Sequence, residues 1–385
     1  MVTLIQGGHI YGPEDLGYQD LLVINGKIER IAPGIKAPQE FFPEMEVVNA
    51  SGKLIFPGFI DQHVHIIGGG GSGGPLTRSK EVYFRDLVKA GTTTLVGTLG
   101  TDTISRSLST LLIKAKALNQ CGINAFIYTG SVLFPPVTLT GSVEKDIVFI
   151  AEVIGVKMGL GEPVYPRPDL RDLENLVTET RRAGSLSRKQ AVVHIHLAVS
   201  SNEWMDAIES ILEAREVPYQ QVVLTHVNKS PRLLERSFEY AKKGGGIDLT
   251  TCIRPPERPT SVKPSTGLKR YLEAGCPLKN ITFSSDSNAT RVLANGTVDY
   301  TRVGTLLEEF RDCVQKEGIP LPQALSVVTR NAALRLGIAH ERGSLQKGSF
   351  ADLAFFTEGL ELTDLMTGGS WLLQDGIVAK LDPLE

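Results

Sequence analysis

KLIFPGFIDQHVH, residues 53–65, is an apolar run that ends on two histidines, His63 and His65. Residues two apart on a strand point to the same side, so this run predicts a strand that can offer both imidazoles to one metal ion. Seven more short apolar runs come after it, each followed by a segment of helical or loop character: TTTLVGTLG, NAFIYTG, VIGVKMG, AVVHIHLA, QVVLTHVN, GIDLTTC and ITFSSDSN. Eight such units in succession predict an α/β protein built as a (β/α)8 TIM-like barrel.

Three of the connecting segments show apolar residues at helical spacing. They are LTRSKEVYFRDLVKAG, SLSTLLIKAKALNQCG and PRLLERSFEYAKKGG, and they reach Gly91, Gly122 and Gly244 respectively. Glycine readily adopts the left-handed backbone that ends a helix, so these segments are predicted to be helices with glycine at the C-terminal cap.

Both ends of the chain are rich in strand signals. QDLLVINGKIERIA has two alternating apolar runs joined by Asn25-Gly26, and GSWLLQDGIVAKL has the same device at Asp375-Gly376. Both dipeptides suit the tight turn of a β-hairpin. Neither end has enough strands for a core of its own. We therefore predict a small discontinuous β-sandwich domain from residues 1–56 and 345–385, with the barrel over residues 57–344.

The composition points to a partner of small size. The chain has 385 residues, 42% of them hydrophobic, and a formal charge of −3, which gives no electrostatic reason to expect nucleic acid or a membrane surface. No apolar run approaches the length of a membrane span and no signal-peptide pattern is present, so we expect a cytoplasmic protein. The four cysteines are widely spaced without CxxC pairs, which disfavours a thiolate zinc site.

Polar residues stand where several of the apolar runs end. Besides the two histidines of the first run, they are Lys157, His196, His226 and Asp286. Barrel enzymes build their sites at the C-terminal ends of the strands, so these residues are predicted to meet there. A histidine on an apolar strand is more often a hydrogen-bonded core residue, and we expect His194 to be either such a core residue or a residue that supports a ligand. His9 and His340 are assigned no chemistry.

These segments resemble the amidohydrolase superfamily, and within it the isoaspartyl dipeptidases. The likeness spans essentially the whole chain and is carried by PGFIDQHVHIIGGGG, GTDTISR, LTGSVEKD, VIGVK, THVN, GGGIDLTT and SSDSN. It implies that Lys157 is carboxylated by carbon dioxide and bridges two divalent metal ions. One ion would be held by His63, His65, Lys157 and Asp286, and the other by Lys157, His196 and His226. Such nitrogen and oxygen ligands fit zinc, the default, and also cobalt, manganese or nickel.

The resemblance also implies a mechanism and an assembly. Two metals about 4 Å apart can share a water whose pKa falls towards about 7, so the bridging hydroxide would be the nucleophile. Asp286 would be the general acid and base, taking a proton from the hydroxide and passing it to the leaving nitrogen. The implied activity is C–N hydrolysis by a metal-dependent dipeptidase, and the implied assembly is a homo-oligomer.

Three predicted substrate contacts are Gly70, Thr101 and Thr290. Gly70 belongs to the glycine run 68–71, which lets the backbone approach the site closely, although a flexible linker is the alternative for this run. Thr101 matches a substrate-contacting position of the family, with helix capping as its alternative.

Several other substrate positions depart from the family. Ser72 stands where isoaspartyl dipeptidases carry a glutamate, and Val132 stands where they carry a tyrosine that helps to polarise the carbonyl. Val164, or a shifted loop in LGEPVYPRP, stands where they carry one arginine, and Lys229 stands where they carry another. A lysine lacks the planar two-pronged geometry of arginine. The residues that contact the dipeptide in the family are therefore largely replaced in this chain.

Arginines elsewhere could replace the missing carboxylate contacts. Arg254 is included among the predicted substrate residues, with Arg258 and Arg291 as further candidates. The alternative, which we prefer, is that all three are ordinary loop arginines, since exposed charges contribute little.

Hydrolysis of an amide or peptide bond, with β-aspartyl dipeptides as the first substrates, is the leading interpretation. A second is the hydrolysis of cyclic amides or N-acyl amino acids at the same site. A third is a non-catalytic scaffold, but such scaffolds tend to lose metal ligands and this chain retains all six. Deamination is disfavoured because the related deaminases usually work with one metal and without the bridging lysine.

Overall fold

The structure of the chain is a computed structural model. It describes residues 1–37, 40, 42–256, 258–292 and 297–379, and for residues 291 and 292 the backbone alone. Five strands come first along the chain: β1 (Val2–Tyr11), β2 (Asp15–Ile24), β3 (Lys27–Ala32), β4 (Glu46–Asn49) and β5 (Leu54–Pro57).

Eight parallel strands follow, and they form one sheet in the order in which they occur along the chain. They are β6 (Phe59–Val64), β7 (Thr92–Gly97), β8 (Asn124–Gly130), β9 (Val153–Leu160), β10 (Val192–Leu197), β11 (Val222–Thr225), β12 (Gly246–Thr250) and β13 (Ile281–Ser284). The first and last of these strands are joined beyond their ends, because the Asp286 amide donates to the His63 carbonyl (3.0 Å) and the His65 amide to the Ser287 carbonyl (3.0 Å). The sheet thus curves into a nearly closed barrel, which confirms the predicted fold class.

Ten α-helices are present among the described residues. They are α1 (Phe84–Lys89), α2 (Leu108–Cys121), α3 (Val143–Phe149), α4 (Leu170–Ser187), α5 (Asn202–Ala214), α6 (Pro231–Lys242), α7 (Pro264–Glu273), α8 (Thr305–Gln315), α9 (Leu321–Val328) and α10 (Arg330–Leu336). Ala332, Ala333 and Leu336 of α10 pack with Ile60 and other residues inside the barrel, at the end opposite to the ligands. The other end stays open for a site.

A short hairpin and the C-terminal strands complete the fold. The hairpin is β14 (Thr290–Val292) with β15 (Val298–Tyr300), and the last strands are β16 (Leu353–Phe356), β17 (Leu362–Thr367), β18 (Ser370–Gln374) and β19 (Ile377–Val378). The strands of both termini form one nine-stranded sheet in the order β19-β18-β17-β16-β5-β1-β2-β3, with β4 on β1. Both predicted hairpins are present, and Asn25-Gly26 and Asp375-Gly376 have the positive φ angles that their turns need. The exact domain boundaries stay a prediction, and residues 380–385 of the predicted terminal domain lie outside the described residues.

Two local predictions need correction. Residues 53–65 were expected to be one strand, but β5 belongs to the terminal sheet and β6 to the barrel, with Gly58 between them. A side chain at Gly58 would overlap that of Thr93, so the chain turns here against β7. The helix expected over residues 76–91 is confined to α1. Ser79 instead binds the glycine run, because its hydroxyl accepts from the Gly69 amide (2.7 Å) and its amide donates to the Gly69 carbonyl (3.1 Å).

The glycines at the helix ends follow the prediction in conformation. Gly122 is the left-handed C-cap of α2, and Gly91 and Gly244 have positive φ angles one residue after the caps of their helices. No helix in the described ranges has the length and apolar character that crossing a bilayer requires.

Candidate metal centre

The six predicted ligands meet at the C-terminal ends of the barrel strands. His63, Lys157 and His196 lie within β6, β9 and β10, while His65 and His226 each come one residue after a strand and Asp286 comes two residues after β13. The first and last strands of the barrel thus bring together His65 and Asp286, which are 221 positions apart in the sequence.

One group of ligands is close enough to hold a single ion. Ligand atoms of His63, His65 and Asp286 all lie within 4.8 Å of one another. Asp286 Oδ1 is 3.1 Å from His65 Nε2 and 3.3 Å from His63 Nε2. The amine of Lys157 lies 3.2 Å from His63 Nε2, so the predicted bridging residue borders this group directly.

The other two histidine ligands continue the cluster, since His226 lies beside His63 and His196 lies beside His226. The ring centroids of His196 and His226 are 4.5 Å apart, and those of His63 and His226 are 5.1 Å apart. The imidazoles form a continuous cluster from one predicted ion to the other.

Hydrogen bonds orient several of these rings. Nδ1 of His65 lies 3.2 Å from the Thr98 carbonyl oxygen, and Nδ1 of His226 lies 2.6 Å from Thr250 Oγ1. A partner on one ring nitrogen fixes the tautomer and leaves the other nitrogen for a metal. His194 is fully buried, with its Nε2 3.3 Å from His63 Nδ1 and its ring stacked on Tyr128. This placement agrees with the role predicted for His194.

Two of the predicted ligands have an unusual backbone. His226 has φ 67° and Asp286 has φ 50°, in the left-handed region that non-glycine residues seldom adopt. Such conformations persist where the surroundings enforce them, often at functional sites. At Asp286 two hydrogen bonds enforce this conformation. The Asp286 amide donates to the His63 carbonyl, and the Thr301 hydroxyl donates to the Asp286 carbonyl.

The protonation states suit metal binding. Burial lowers the pKa of His63 and His226 well below the usual value and that of His196 to about 3, so the imidazoles are neutral and can act as ligands. Burial also lowers the pKa of Lys157 to about 7, so a large fraction of its amine is uncharged near neutral pH. Burial raises the pKa of Asp286, but hydrogen bonding with His65 and nearby positive charge bring it below the usual value. This set of neutral nitrogens and an anion fits divalent cations.

A pocket of about 290 Å³ opens over these ligands. It is lined by all but one of the residues predicted to contact substrate, namely Gly70, Ser72, Thr101, Val132, Lys229 and Thr290. The glycine run therefore faces the pocket, and residue 70 must be small. A Cβ atom there would overlap the Thr77 carbonyl oxygen and the Thr290 hydroxyl.

Arg254 is the exception and corrects the prediction. It is not among the described residues that line the pocket, and its guanidinium pairs with Glu308 (2.8 Å) and Glu309 (3.1 Å). Arg258, by contrast, does line the pocket. Val164, aligned with a family arginine, is 83% exposed and outside the pocket, and the side chain of Arg291 lies outside the described residues.

The sequence analysis did not single out Glu162 and Tyr165, which both line the pocket. Glu162 Oε1 lies 3.2 Å from His196 Nε2 and 3.1 Å from the amine of Lys229, which also donates to the Leu197 carbonyl (2.7 Å). The hydrogen bond with His196 and the charge of Lys229 lower the pKa of Glu162 to about 2. Both residues follow β9 at the C-terminal end of the barrel, a position that could have identified them.

Comparison with known proteins identifies a family and structures of the same fold. The model of the amidohydrolase family matches residues 54–372. The crystal structure of β-aspartyl dipeptidase from Fervidobacterium islandicum AW-1, in complex with β-Asp-Leu dipeptide, is 34% identical, with a TM-score of 0.91 and full coverage of both chains. Dihydropyrimidinase from Brevibacillus agri NCHU1002 shares the fold, with 16% identity over 98% of this chain and 96% of that one and a TM-score of 0.72.

A shorter match is found with a curated enzyme, the dihydroorotase of Geotalea daltonii. It is 40% identical over 68 residues, which are 17% of this chain and 15% of that enzyme. The match to the family model covers the whole barrel and part of the terminal sheet, and it agrees with the resemblance seen in the sequence. The chain belongs to the amidohydrolase family.

Proposed function

We propose that this protein is a binuclear metal-dependent hydrolase of amide bonds and that its substrates are β-aspartyl dipeptides. The observation that carries the proposal is the convergence of four histidines, a lysine of lowered pKa and an aspartate at the open end of the barrel. The full-length similarity to a β-aspartyl dipeptidase supports the substrate class.

The charges of the pocket support the same class. A β-aspartyl dipeptide carries two carboxylates and one ammonium group. Apart from the predicted metal ligands, the described pocket lining has two cationic side chains, Lys229 and Arg258, and one anionic side chain, Glu162. We assign the two substrate carboxylates to Lys229 and Arg258 and the ammonium group to Glu162. Glu162 would then replace the glutamate that the family carries at the position of Ser72.

Lys157 is suited to carboxylation. An uncharged amine can attack carbon dioxide, releasing one proton and forming a carbamate anion. A pKa of about 7 gives Lys157 the required uncharged form, and the product would supply an anionic ligand at a residue that borders His63. The residues that would hold one ion are His63, His65, carboxylated Lys157 and Asp286, and those for the other are carboxylated Lys157, His196 and His226.

The reaction needs a nucleophile and a proton carrier. Two divalent ions, zinc by default, supply an activated hydroxide and polarise the carbonyl when bound. Asp286 is ionised at neutral pH, because its pKa lies below the usual value, and it stands beside both His63 and His65. It therefore accepts a proton from the attacking oxygen and delivers it to the leaving nitrogen as the C–N bond breaks.

A second candidate is the hydrolysis of a cyclic amide, which the local match to dihydroorotase favours. Neutral or singly anionic rings have no ammonium group for Glu162. The acid in the pocket therefore favours the dipeptide.

The test pairs metal analysis of the purified protein with a substrate screen. The screen contains β-Asp-Leu, α-Asp-Leu, dihydroorotate, hydantoin and N-acetyl amino acids. We expect two ions per chain and hydrolysis of β-Asp-Leu in preference to the others. Preference for a ring would establish the second candidate, and a metal-free protein without activity would make it a non-catalytic scaffold.

A further inference from the structure

His194 is a histidine of β10 that is neither a predicted ligand nor one of the described residues that line the pocket. It is fully buried, and it points to the same face of its strand as His196, two positions further on. In the sheet it pairs in register with Lys157 of β9. The alternation of the strand therefore places His194 inside the barrel, one step below His196 and level with Lys157.

Two contacts fix the position of the His194 ring. One face of the ring lies against the ring of Tyr128, with centroids 4.9 Å apart and planes inclined by 17°. Its Nε2 is 3.3 Å from Nδ1 of His63, and these two rings meet edge to face with centroids 5.1 Å apart. Stacking holds the plane of the His194 ring, and Nε2 then faces a predicted metal ligand.

The two ring nitrogens of His63 face different neighbours. Nε2 lies 3.3 Å from Oδ1 of Asp286, so it is the nitrogen turned towards the other ligands of the same predicted ion. The Lys157 amine lies near both nitrogens, 3.2 Å from Nε2 and 3.3 Å from Nδ1, and therefore does not distinguish between them. The contact of Nδ1 with His194 does distinguish them.

This contact links the proton positions of the two rings. Burial lowers the pKa of His194 well below its usual value, as it does for His63, so each neutral ring carries one proton. If His194 carried its proton on Nε2, it would donate to Nδ1 of His63. His63 would then carry its own proton on Nε2 and could not bind a metal through that atom. With the proton on Nδ1 of His194, Nε2 accepts from Nδ1 of His63, and Nε2 of His63 presents a lone pair.

We propose that His194 is a positioning residue for the metal centre, which accepts a hydrogen bond from Nδ1 of His63 and thereby presents Nε2 of His63 to the ion. The inference rests on the proposed binuclear site, but it does not depend on which amide is the substrate. Nδ1 of His194 has no hydrogen-bond partner among the described residues, so Nε2 is the nitrogen through which this ring acts.

The test compares two substitutions of His194 that place an amide at different points. A glutamine amide reaches the place of Nε2, whereas an asparagine amide reaches only the place of Nδ1. His194→Gln therefore keeps an acceptor for His63, and His194→Asn keeps a buried amide that does not reach His63. Tyr128→Phe is the control, because it keeps the stacked ring and removes a hydroxyl that has no hydrogen-bond partner in the described part of the chain.

Metal affinity is the first measurement, since it requires no substrate. Bound metal is removed with a chelator, and cobalt(II) is added to each protein against a competing indicator while the visible spectrum of the bound cobalt is recorded. We expect the wild type to bind two ions. In His194→Asn one of the two should bind about 10- to 100-fold more weakly and with an altered spectrum, because His63 loses the partner that orients it. His194→Gln and Tyr128→Phe should stay within about threefold of wild type.

Two further measurements separate positioning from packing. Nitrogen NMR of the zinc-loaded wild type, with the His194 signal assigned by its absence from His194→Gln, should show the proton of His194 on Nδ1. On the amide that the wild type cleaves, His194→Asn should have a lower kcat at limiting metal and recover it as the metal concentration rises. Its KM should stay within about threefold of wild type, since the described lining of the pocket does not include His194.

Wild-type affinity for both ions in His194→Asn would overturn the inference, and so would an equal loss in His194→Gln or a proton on Nε2 of His194. If either variant fails to fold, the tautomer of His194 in the wild-type protein decides alone. A wild type that binds two ions but cleaves no β-aspartyl dipeptide would overturn the proposed substrate and leave the metal and NMR criteria in force. A wild type that binds no divalent ion would overturn the proposed function, and the inference with it.

Discussion

Replacing Gly70 by alanine should damage the fold and the pocket together. Gly70 has φ 73°, and a Cβ atom there would overlap the backbone carbonyl oxygen of Thr77 and the hydroxyl of Thr290. The left-handed backbone costs an alanine about 1–2 kcal/mol. Overpacking against a carbonyl that cannot rotate away adds about 1–3 kcal/mol. The expected loss of stability is therefore about 2–5 kcal/mol.

A matched control separates the two terms. Gly52 has φ 77°, but a Cβ added there meets no heavy atom within 4 Å. Gly52→Ala therefore carries only the conformational cost of about 1–2 kcal/mol, and it lies in the terminal region away from the pocket. The difference between the two variants measures the overlap at residue 70.

The assay is urea unfolding followed by circular dichroism, together with kcat/KM on β-Asp-Leu. Relief of the overlap displaces Thr290 or the loop at Thr77, and a misplacement of about 1 Å can cost about 100-fold in rate. We therefore expect kcat/KM to fall by about 10- to 100-fold in Gly70→Ala and to stay unchanged in Gly52→Ala. If Gly70→Ala is as stable and as active as Gly52→Ala, the close approach of this loop to the pocket is refuted.

Four further predictions follow from the structure. Lys157→Met should lower the metal content, measured by plasma emission spectroscopy, below the two ions per chain that we propose. It should also lower kcat/KM by more than about 100-fold, because loss of a residue that only hydrogen-bonds to a metal ligand already costs about 10- to 100-fold; retention of two ions would contradict this. Arg254→Ala should leave KM within about twofold of wild type but lower stability by about 1–3 kcal/mol in urea, because the buried Glu309 loses an ion-pair partner; a raised KM would show that Arg254 contacts the substrate. Glu162→Gln should raise KM for β-Asp-Leu about tenfold and spare N-acetyl-β-Asp-Leu, as expected for a lost charge-assisted bond to ammonium; equal effects on both would exclude that contact. Burial raises the pKa of Asp364, but the hydrogen bond from Lys53 and other hydrogen bonds bring it below the usual value, so the ionised carboxylate stabilises the fold above about pH 4. Lys53→Met should therefore lower stability by about 1 kcal/mol at pH 7, and in thermal melts this difference should shrink as the pH falls below about 4. A difference that stays constant with pH would contradict the linkage.

The clustering of the candidate ligands at one end of the barrel could be predicted because its determinants are local in the sequence. Each ligand closes or follows a short apolar run, and parallel strands of a barrel bring such positions to one end. The local pattern could not show that residues 53–65 divide between two sheets. At the point of division, Gly58 lies between β5 and β6 and approaches Thr93 of β7 so closely that a side chain would not fit, a contact between residues 35 positions apart.

The pocket wall was predicted less completely because its members depend on packing between loops. Tyr165 is aimed by its contacts with Gly159 and Thr101, and no periodic pattern in GEPVYPRP reports either of them. Arg254 illustrates the same limit from the other side, since its sequence neighbours do not reveal that α8 supplies two acids to hold it. A barrel keeps its ligands on rigid strands and its substrate contacts on loops, so relatives can share the first set and exchange the second. Two such loops meet at Gly159, because an added Cβ there would lie 2.7 Å from the Val132 carbonyl oxygen and 3.1 Å from Cδ2 of Tyr165, so a change in either loop alters the wall of the pocket without moving a ligand.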